Sequence, residues 1–470
     1  MFVSGHWVDH TDQQEVRHPF DNVTVDVVPR ATNEHVEAAL VGGVSGAREM
    51  RKLTGYDRYL ILRRAAQLLA ERKEQFAHTI SMEEGKILAE GRLEVDRAVD
   101  TLELSAAEAR CIHGQGLPLD GAPGGAGKLG FTLRVPCGLV VAITPFNFPL
   151  NLVCHKVGPA LAAGNAVILK PATDTPLSAL MLVQVLLDAG LPPLALSCLT
   201  GSGVQVGEAL CRDARVRKIS FTGSAEVGRR ICEVAGLKRV TMELGSNSPV
   251  IVLADADPTV VAAAIAKAGF ANAGQLCISA QRIIALPPVH DAIVDSLRDR
   301  VSQLRAGDPM AEDTDVGPLV RERDAVRVAN WIQEAVAGGA RLICGGHREG
   351  ALLQPAVLSD VQPDMRISRD ELFGPAVAVL RATDPQHAID LANDTRYGLS
   401  AAVFTRDLDA ALRFAREVDS GNIHINGGPA WRADLMPYGG LKESGMGKEG
   451  PHYAVLEMTE EKSVVIHGSE

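Results

Sequence analysis

The chain has 470 residues, 46% of them hydrophobic and only 4% aromatic, enough for two or three globular units with a sizeable core. Its 47 basic and 58 acidic side chains leave a formal charge of -11 with the signs interspersed, so no basic face for nucleic acid or acidic lipid is expected. Apolar runs such as AVILK and SPVIVLA fall far short of the roughly 20 residues that span a bilayer; the start MFVSGHWVDHTDQQEV lacks the pattern of a secretory signal, and the cytoplasm is the expected compartment.

From 32 to 112 apolar residues recur at three and four, as in YLILRRAAQLLAERKEQFAHTI, which predicts consecutive amphipathic helices. The Gly- and Pro-rich GQGLPLDGAPGGAGKLG (114 to 130) and FTLRVPCG after it read as a loop and an extended excursion. From 138 a regular alternation begins: strand LVVAITP, helix 150 to 163, strand AVILKP, helix 176 to 189, strand LSCLTG, helix 204 to 213, strand VRKISFTG, helix 225 to 236 and strand RVTMELG. Apolar strands alternating with such helices imply an α/β fold with a doubly wound parallel sheet. SPVIVLADA restarts the pattern with an Ala-rich helix over 258 to 272, and a second α/β unit is expected to about 440. The tail MTEEKSVVIHGSE has no sequence neighbour to pair with and is expected to join the 114 to 136 excursion as a small projecting sheet.

AGQLCISAQR places Cys277 alone in a polar, glycine-led stretch. Eight cysteines without a C-x-x-C pair fit reduced thiols better than a disulfide framework, and the 13 histidines form no H-E-x-x-H, so no metal is expected. A packing thiol and a nucleophile remain open. FTGSAEVG, with Gly223, Ser224 and Gly228 at a strand-to-helix turn, suits either a tight turn or a phosphate at a helix N-terminus. ITPFNFPLN puts Asn147, as a turn former or an oxyanion donor, at the C-terminal end of a strand, where open α/β sheets bind ligands. Glu243 in TMELGSNSP is either a helix-cap partner or a base.

PFNFPL, FTGSAEVG, MELGSNSP, GQLCISAQR, ELFGPAVAV and MPYGGLKESGMGKEG occur in the order and approximate spacing of the aldehyde dehydrogenase superfamily, which the chain resembles over nearly its whole length. The resemblance implies that Cys277 attacks the aldehyde carbonyl, that Asn147 and the backbone N–H of Cys277 hold the oxyanion, and that Glu243 activates water against the thioester. It implies that Lys170 binds the adenosine ribose, that Gly223, Ser224 and Gly228 serve the pyrophosphate, and that Glu371 and Phe373 contact the nicotinamide ribose and ring. Pro145, Phe146 and Gly245 line the same cleft. It also implies two doubly wound domains plus an oligomerisation sheet: cofactor domain 1–113 and 137–246, catalytic domain 247–445, oligomerisation segments 114–136 and 446–470, and at least a homodimer, with a homotetramer equally open.

Three departures from the family pattern carry information. Thr173 stands where many NAD-preferring members have Glu, so NADP is expected to be accepted alongside NAD, although Asp174 next door opposes this. Ser246 replaces the second glycine of E-L-G-G, and Glu243 itself argues for hydrolysis to a free acid rather than thioester transfer. Asn151 and His155 stand where relatives acting on greasy aldehydes tend to be apolar; with Arg97, Trp431 and Arg432 they suggest a small polar or anionic aldehyde, each residue also having an ordinary structural reading. The pattern resembles the branch with lactaldehyde, non-phosphorylating glyceraldehyde-3-phosphate and phosphonoacetaldehyde dehydrogenases. Leu276 is no phosphonate clamp, so lactaldehyde-like hydroxyaldehydes or small semialdehydes are favoured. The rival classes are a cysteine hydrolase without redox chemistry and a catalytically idle relative.

Overall fold

The apolar runs become the central strands of two sheets. AVILK forms Ala166–Lys170 and SPVIV forms Ser248–Val252, with every residue buried, as a parallel sheet covered on both faces requires. The computed structural model describes residues 1–468; 469 and 470, the end of the expected 446–470 segment, lie outside the described residues. No helix among them is long and apolar enough to cross a membrane.

The first sheet runs in the order His6–Trp7, Phe2–Val3, Leu196–Cys198, Ala166–Lys170, Leu139–Ile143, Val216–Thr222, Arg239–Glu243, Gly445–Met446. Its five inner strands are parallel and its edges antiparallel. Alternate residues feed separate cores: Val140, Ala142, Val167 and Leu169 on one face, Leu139, Val141, Ala166 and Ile168 on the other. The second sheet has the order Arg341–Cys344, Ala356–Ser359, Ala376–Arg381, Ala280–Ala285, Ser248–Val252, Ser400–Phe404, Asn422–Ile425, antiparallel only at Arg341–Cys344. The tail strand Thr459–His467 pairs antiparallel with Lys128–Pro136, from Thr459 opposite Pro136 to His467 opposite Lys128, and Gly116–Leu117 completes a third sheet.

Four features differ from the sequence reading. The first 31 residues contain strands: Phe2–Val3 joins the first sheet, and Gln13–Arg17 pairs with Thr24–Pro29. The helix expected over 204 to 213 is a π turn, Gly203–Gly207, followed by Glu208–Arg212. The helix expected to reach 272 stops at Phe270, because Asn272 and Ala273 adopt left-handed φ values of 48° and 52°. The segment expected from 446 begins later: Gly445–Met446 borders the first sheet and Pro451–Glu457 packs on the helices Leu88–Ala109 and Asn151–Ala162, so only Thr459 onward joins the third sheet.

Leu88–Ala109 is the longest helix, and Glu94, Arg97 and Thr101 recur along one face of it. Glu94 accepts the N–H groups of Leu150 (2.9 Å) and Asn151 (3.0 Å), capping a helix that has no local side-chain cap. Its other oxygen pairs with Lys86, both side chains buried, and Lys86 also donates to the Asn147 carbonyl at 2.7 Å while lying 4.0 Å over the Phe148 ring. Replacing Lys86 by Met leaves Glu94 as an unpaired buried charge. Such losses cost about 3–5 kcal/mol, so the urea midpoint of Lys86→Met should fall clearly below wild type; an unchanged midpoint would contradict the role assigned to this pair.

Candidate active site

Cys277 lies in the short connection between the helix Pro258–Phe270 and the strand Ala280–Ala285. The connection is pinned from two sides. The backbone N–H of Asn272 donates to both oxygens of Glu90 at 3.0 Å, and its side-chain amide donates to Glu84 (3.0 Å) and to the Asn147 carbonyl (3.2 Å). The Asn147 amide in turn donates to the Gln275 carbonyl at 2.7 Å, while the Gln275 side chain accepts the Val320 N–H at 3.0 Å. A Cβ at Gly274, whose φ is +71°, would sit 2.1 Å from the Gly374 carbonyl, so only glycine lets these loops meet. The oxyanion asparagine and the thiol of the sequence reading are thus held in one network, and Cys277 is not half of a disulfide.

Cys277 opens on a cavity of about 1390 Å³. One wall consists of residues at or just beyond the C-terminal ends of first-sheet strands: Pro145 and Phe146 beyond Leu139–Ile143, Lys170 to Thr173 at the end of Ala166–Lys170, Gly223 and Ser224 beyond Val216–Thr222, and Glu243 to Gly245 at the end of Arg239–Glu243. Ser224 caps the helix Ala225–Ala235, its hydroxyl accepting the Val227 N–H at 3.4 Å. Gly228 packs on Leu244, where a Cβ would come within 2.6 Å of the side chain. Opposite, a Cβ on Gly245 would lie 2.4 Å from the Glu371 carboxylate, which accepts the Ser246 N–H at 2.8 Å; burial pushes Glu371 up to about 7 despite that bond. Phe373, at φ 48°, meets Phe146 edge-on at 5.8 Å. Every residue assigned to the cofactor except Gly228 lines this cavity.

Lys170 is buried, which pulls its ammonium down to about 8. Thr173 donates to the Gly201 carbonyl at 3.1 Å and accepts Gln14 on its own carbonyl at 2.8 Å. Asp174, the residue that argued against a 2'-phosphate, pairs with Arg321.

Glu243 is buried and neither carboxylate oxygen has a hydrogen-bond partner, so it caps nothing. Burial and then the nearby Glu449 push its proton affinity well up, against Arg432, Lys156 and Lys448. Burial would raise Glu449 too, but Lys156 at 2.7 Å and Arg432 at 3.3 Å hold it down to about 2. Arg432 is buried, lies 3.9 Å over the Tyr438 ring, and keeps one donor, its Nε–H, without a partner. The Tyr438 hydroxyl lies 3.1 Å from Cys277 Sγ. Burial lifts the Cys277 thiol to about 12, the Tyr438 hydrogen bond opposing it.

Arg97, Asn151 and His155 do converge, but around Asp434, which sequence reasoning missed although it stands two residues after Arg432. Asp434 accepts Arg97 through Nε (3.1 Å) and Nη2 (2.7 Å), His155 Nε2 at 2.8 Å and the Asn151 amide at 3.5 Å. The Arg97 charge is therefore already paired. His155 contributes none: burial lowers it to about 4, and its Nδ1 faces the Arg432 guanidinium at 3.4 Å, which makes Nδ1 the acceptor and Nε2 the protonated nitrogen. Arg97, Asn151 and Arg432 line the cavity and His155 stands behind it. Trp431 does not line it; it is 66% exposed and meets His424 edge-on. Tyr438, Glu449 and Lys156 were also missed: Tyr438 and Glu449 stand in MPYGGLKESGMGKEG, which reads only as a family signature, and Lys156 is a lone lysine in an apolar helix with no spacing signal.

The model of the aldehyde dehydrogenase family matches residues 7–464. The chain is 45% identical over 469 residues to the 3-sulfolactaldehyde dehydrogenase of Priestia megaterium, covering 99% of this chain and 98% of that one. It is 38% identical to the lactaldehyde dehydrogenase of Methanococcus vannielii, covering 99% of this chain and 100% of the relative. The solved structure of glyceraldehyde-3-phosphate dehydrogenase GapN from Methanocaldococcus jannaschii, complexed with NADP, superimposes with a TM-score of 0.94 at 35% identity, covering 98% of this chain and 100% of that chain.

The His155 assignment has a direct check. Nitrogen NMR on ring-labelled protein should show His155 neutral at pH 7 with the proton on Nε2, titrating near 4 rather than near 6.5. Between those values the unfolded chain binds the extra proton, so this group's contribution is complete above 6.5 and is lost as the pH falls toward 4. A His155 that titrates near 6.5 would contradict the assignment of a desolvated imidazole held between Asp434 and Arg432.

Proposed function

The chain belongs to the aldehyde dehydrogenase family, and on that premise we propose that it oxidises a short aldehyde carrying a hydroxyl and an anionic group to the carboxylic acid, with NADP or NAD as hydride acceptor. The observation that carries this reading is Arg432: a buried guanidinium on the wall shared with Cys277 and Glu243, with a donor left unpartnered. A buried unpaired donor is costly and an anion would satisfy it. The 3-sulfolactaldehyde dehydrogenase relative acts, by its name, on an aldehyde of this class. Phosphorylated glyceraldehyde is the second reading, supported by the likeness to GapN. Arg97 and His155 add no free charge to either.

In this reading the Cys277 thiolate adds to the aldehyde carbon, forming the C–S bond as the carbonyl π electrons move to oxygen. One hydrogen of the Asn147 amide is committed to the Gln275 carbonyl, which orients the other toward the oxyanion alongside the Cys277 N–H. The cofactor supplies a hydride acceptor, leaving an acyl thioester on Cys277. Glu243, unpartnered and raised by burial, then takes a proton from water as it adds to the thioester, and the C–S bond breaks. The sheet around Leu139–Ile143 is assigned the cofactor and the second sheet the nucleophile. Lys170 and the diversion of Asp174 to Arg321 favour acceptance of a 2'-phosphate. Tyr438, not a histidine, is the hydrogen-bond partner of Cys277 Sγ, which disfavours the cysteine hydrolase. Leu129, Leu133, Val465 and Ile466, all exposed on the third sheet, support a homo-oligomer that covers them.

Reduced-cofactor absorbance with NAD and NADP separately should favour 3-sulfolactaldehyde over lactaldehyde and a plain alkyl aldehyde, with glyceraldehyde 3-phosphate and phosphonoacetaldehyde as competitors. Arg432→Met should lower kcat/KM for the anionic substrate by roughly 30-fold, about 2 kcal/mol, and change the alkyl aldehyde far less. An alkyl preference in the wild type would refute the anionic reading. Glu243→Gln should give a burst of reduced cofactor followed by slow turnover; normal steady-state rates would refute the base role.

A further inference from the structure

Tyr438 is 4% exposed, and its hydroxyl has one hydrogen-bond partner among the described residues, Cys277 Sγ at 3.1 Å, which likewise has no other. A buried phenol is retained where its O–H has a partner; here that partner is the nucleophile of the proposed reaction. The ring is fixed from both sides. Its backbone exchanges hydrogen bonds with Glu449, Tyr438 N–H to the Glu449 carbonyl at 3.1 Å and Glu449 N–H back at 2.7 Å. Arg432, itself paired to Glu449, lies over the ring face at 3.9 Å.

We propose that Tyr438 is a further catalytic residue whose hydroxyl stabilises the thiolate of Cys277, both when it forms before attack and when it leaves in hydrolysis. The inference rests on the reading of Cys277 as nucleophile. The physical basis is a difference between two states. A neutral thiol and a phenol form a weak bond in either direction; a thiolate accepting the phenol O–H forms a charge-assisted one. Arg432 over the ring draws electron density from the phenol and makes it a better donor. Phenylalanine would fill the same space and keep the cation over the ring, so packing does not account for the hydroxyl.

The thiol proton passes to solvent, Tyr438 keeps its own, and Sγ carries the electron pair that becomes the C–S bond. In hydrolysis that bond breaks, the pair returns to Sγ, and Tyr438 donates again. The groups facing the thiol act in both directions: burial first raises it, Tyr438 lowers it, the Glu371 and Glu243 carboxylates raise it and Arg432 lowers it. Tyr438 itself, raised well above the usual phenol range by burial and by Cys277, stays protonated as donor throughout the working range.

The test is the pH dependence of Cys277 alkylation by iodoacetamide in cofactor-free enzyme, followed at that residue by peptide mass. Tyr438→Phe should move the profile upward by about one pH unit, slowing alkylation roughly tenfold on the rising limb. The rate of cofactor reduction in a single turnover should fall in parallel, with NADP and NAD affinity unchanged. A structural role would lower the rate or the melting temperature at every pH without moving the midpoint. An unmoved midpoint in Tyr438→Phe overturns the proposal. If that variant does not fold, 3-fluorotyrosine in place of tyrosine, a more acidic phenol, should move the profile downward, and an unmoved profile there is equally decisive. Turnover by Cys277→Ala would overturn the nucleophile reading itself, a failure distinct from an active wild type whose profile ignores Tyr438.

Discussion

The buried ammonium of Lys86 is the point on which the geometry of the candidate site hangs. It satisfies Glu94, which caps the helix Asn151–Ala162, and it holds the Asn147 carbonyl that also receives the Asn272 amide. A cation taken out of water needs such partners on several sides, and meeting that need draws the helix Leu88–Ala109, the loop after Leu139–Ile143 and the Cys277 connection to one place. The left-handed pair Asn272 and Ala273 tolerates its conformation because Glu84 and Glu90 receive the Asn272 donors.

A second group of charges decides what the cavity presents to a substrate. Asp434 consumes the Arg97 charge, Glu449 pairs with Lys156 and Arg432, and burial keeps His155 neutral. The cluster is nearly self-neutralising, yet it leaves the Arg432 Nε–H and both Glu243 oxygens without protein partners. Atoms left open in an otherwise satisfied network are where a substrate anion and a water have something to gain. In the proposed reading, anion recognition and hydrolysis would therefore share one charge network without competing for its donors.

The alternation of apolar strands and helices was legible because a parallel sheet demands continuous burial, and the runs at 166–170 and 248–252 announce it. The strand-end motifs around Asn147, Gly223 and Glu243 were legible for the same reason: their glycines and polar groups interrupt apolar runs at fixed places. Short edge strands near the N-terminus escaped notice, because pairs of two residues such as Phe2–Val3 are stabilised by the sheet they join and not by their own pattern. Trp431, grouped with Arg432 because the two are adjacent in sequence, does not line the cavity and is 66% exposed, since neighbours along a chain need not face the same space.

By itself the sequence determined the two-sheet α/β plan and the family, and it supplied the candidate residues for the proposed chemistry. Only the tertiary structure decided their charge states and their partners. Asp434 meets Arg97 across 337 residues and His155 across 279, and Tyr438 meets Cys277 across 161. Whether a histidine is cationic, a carboxylate is a base or an arginine is free depends on desolvation and on atoms within about 3 Å, and no local spacing along a chain encodes either.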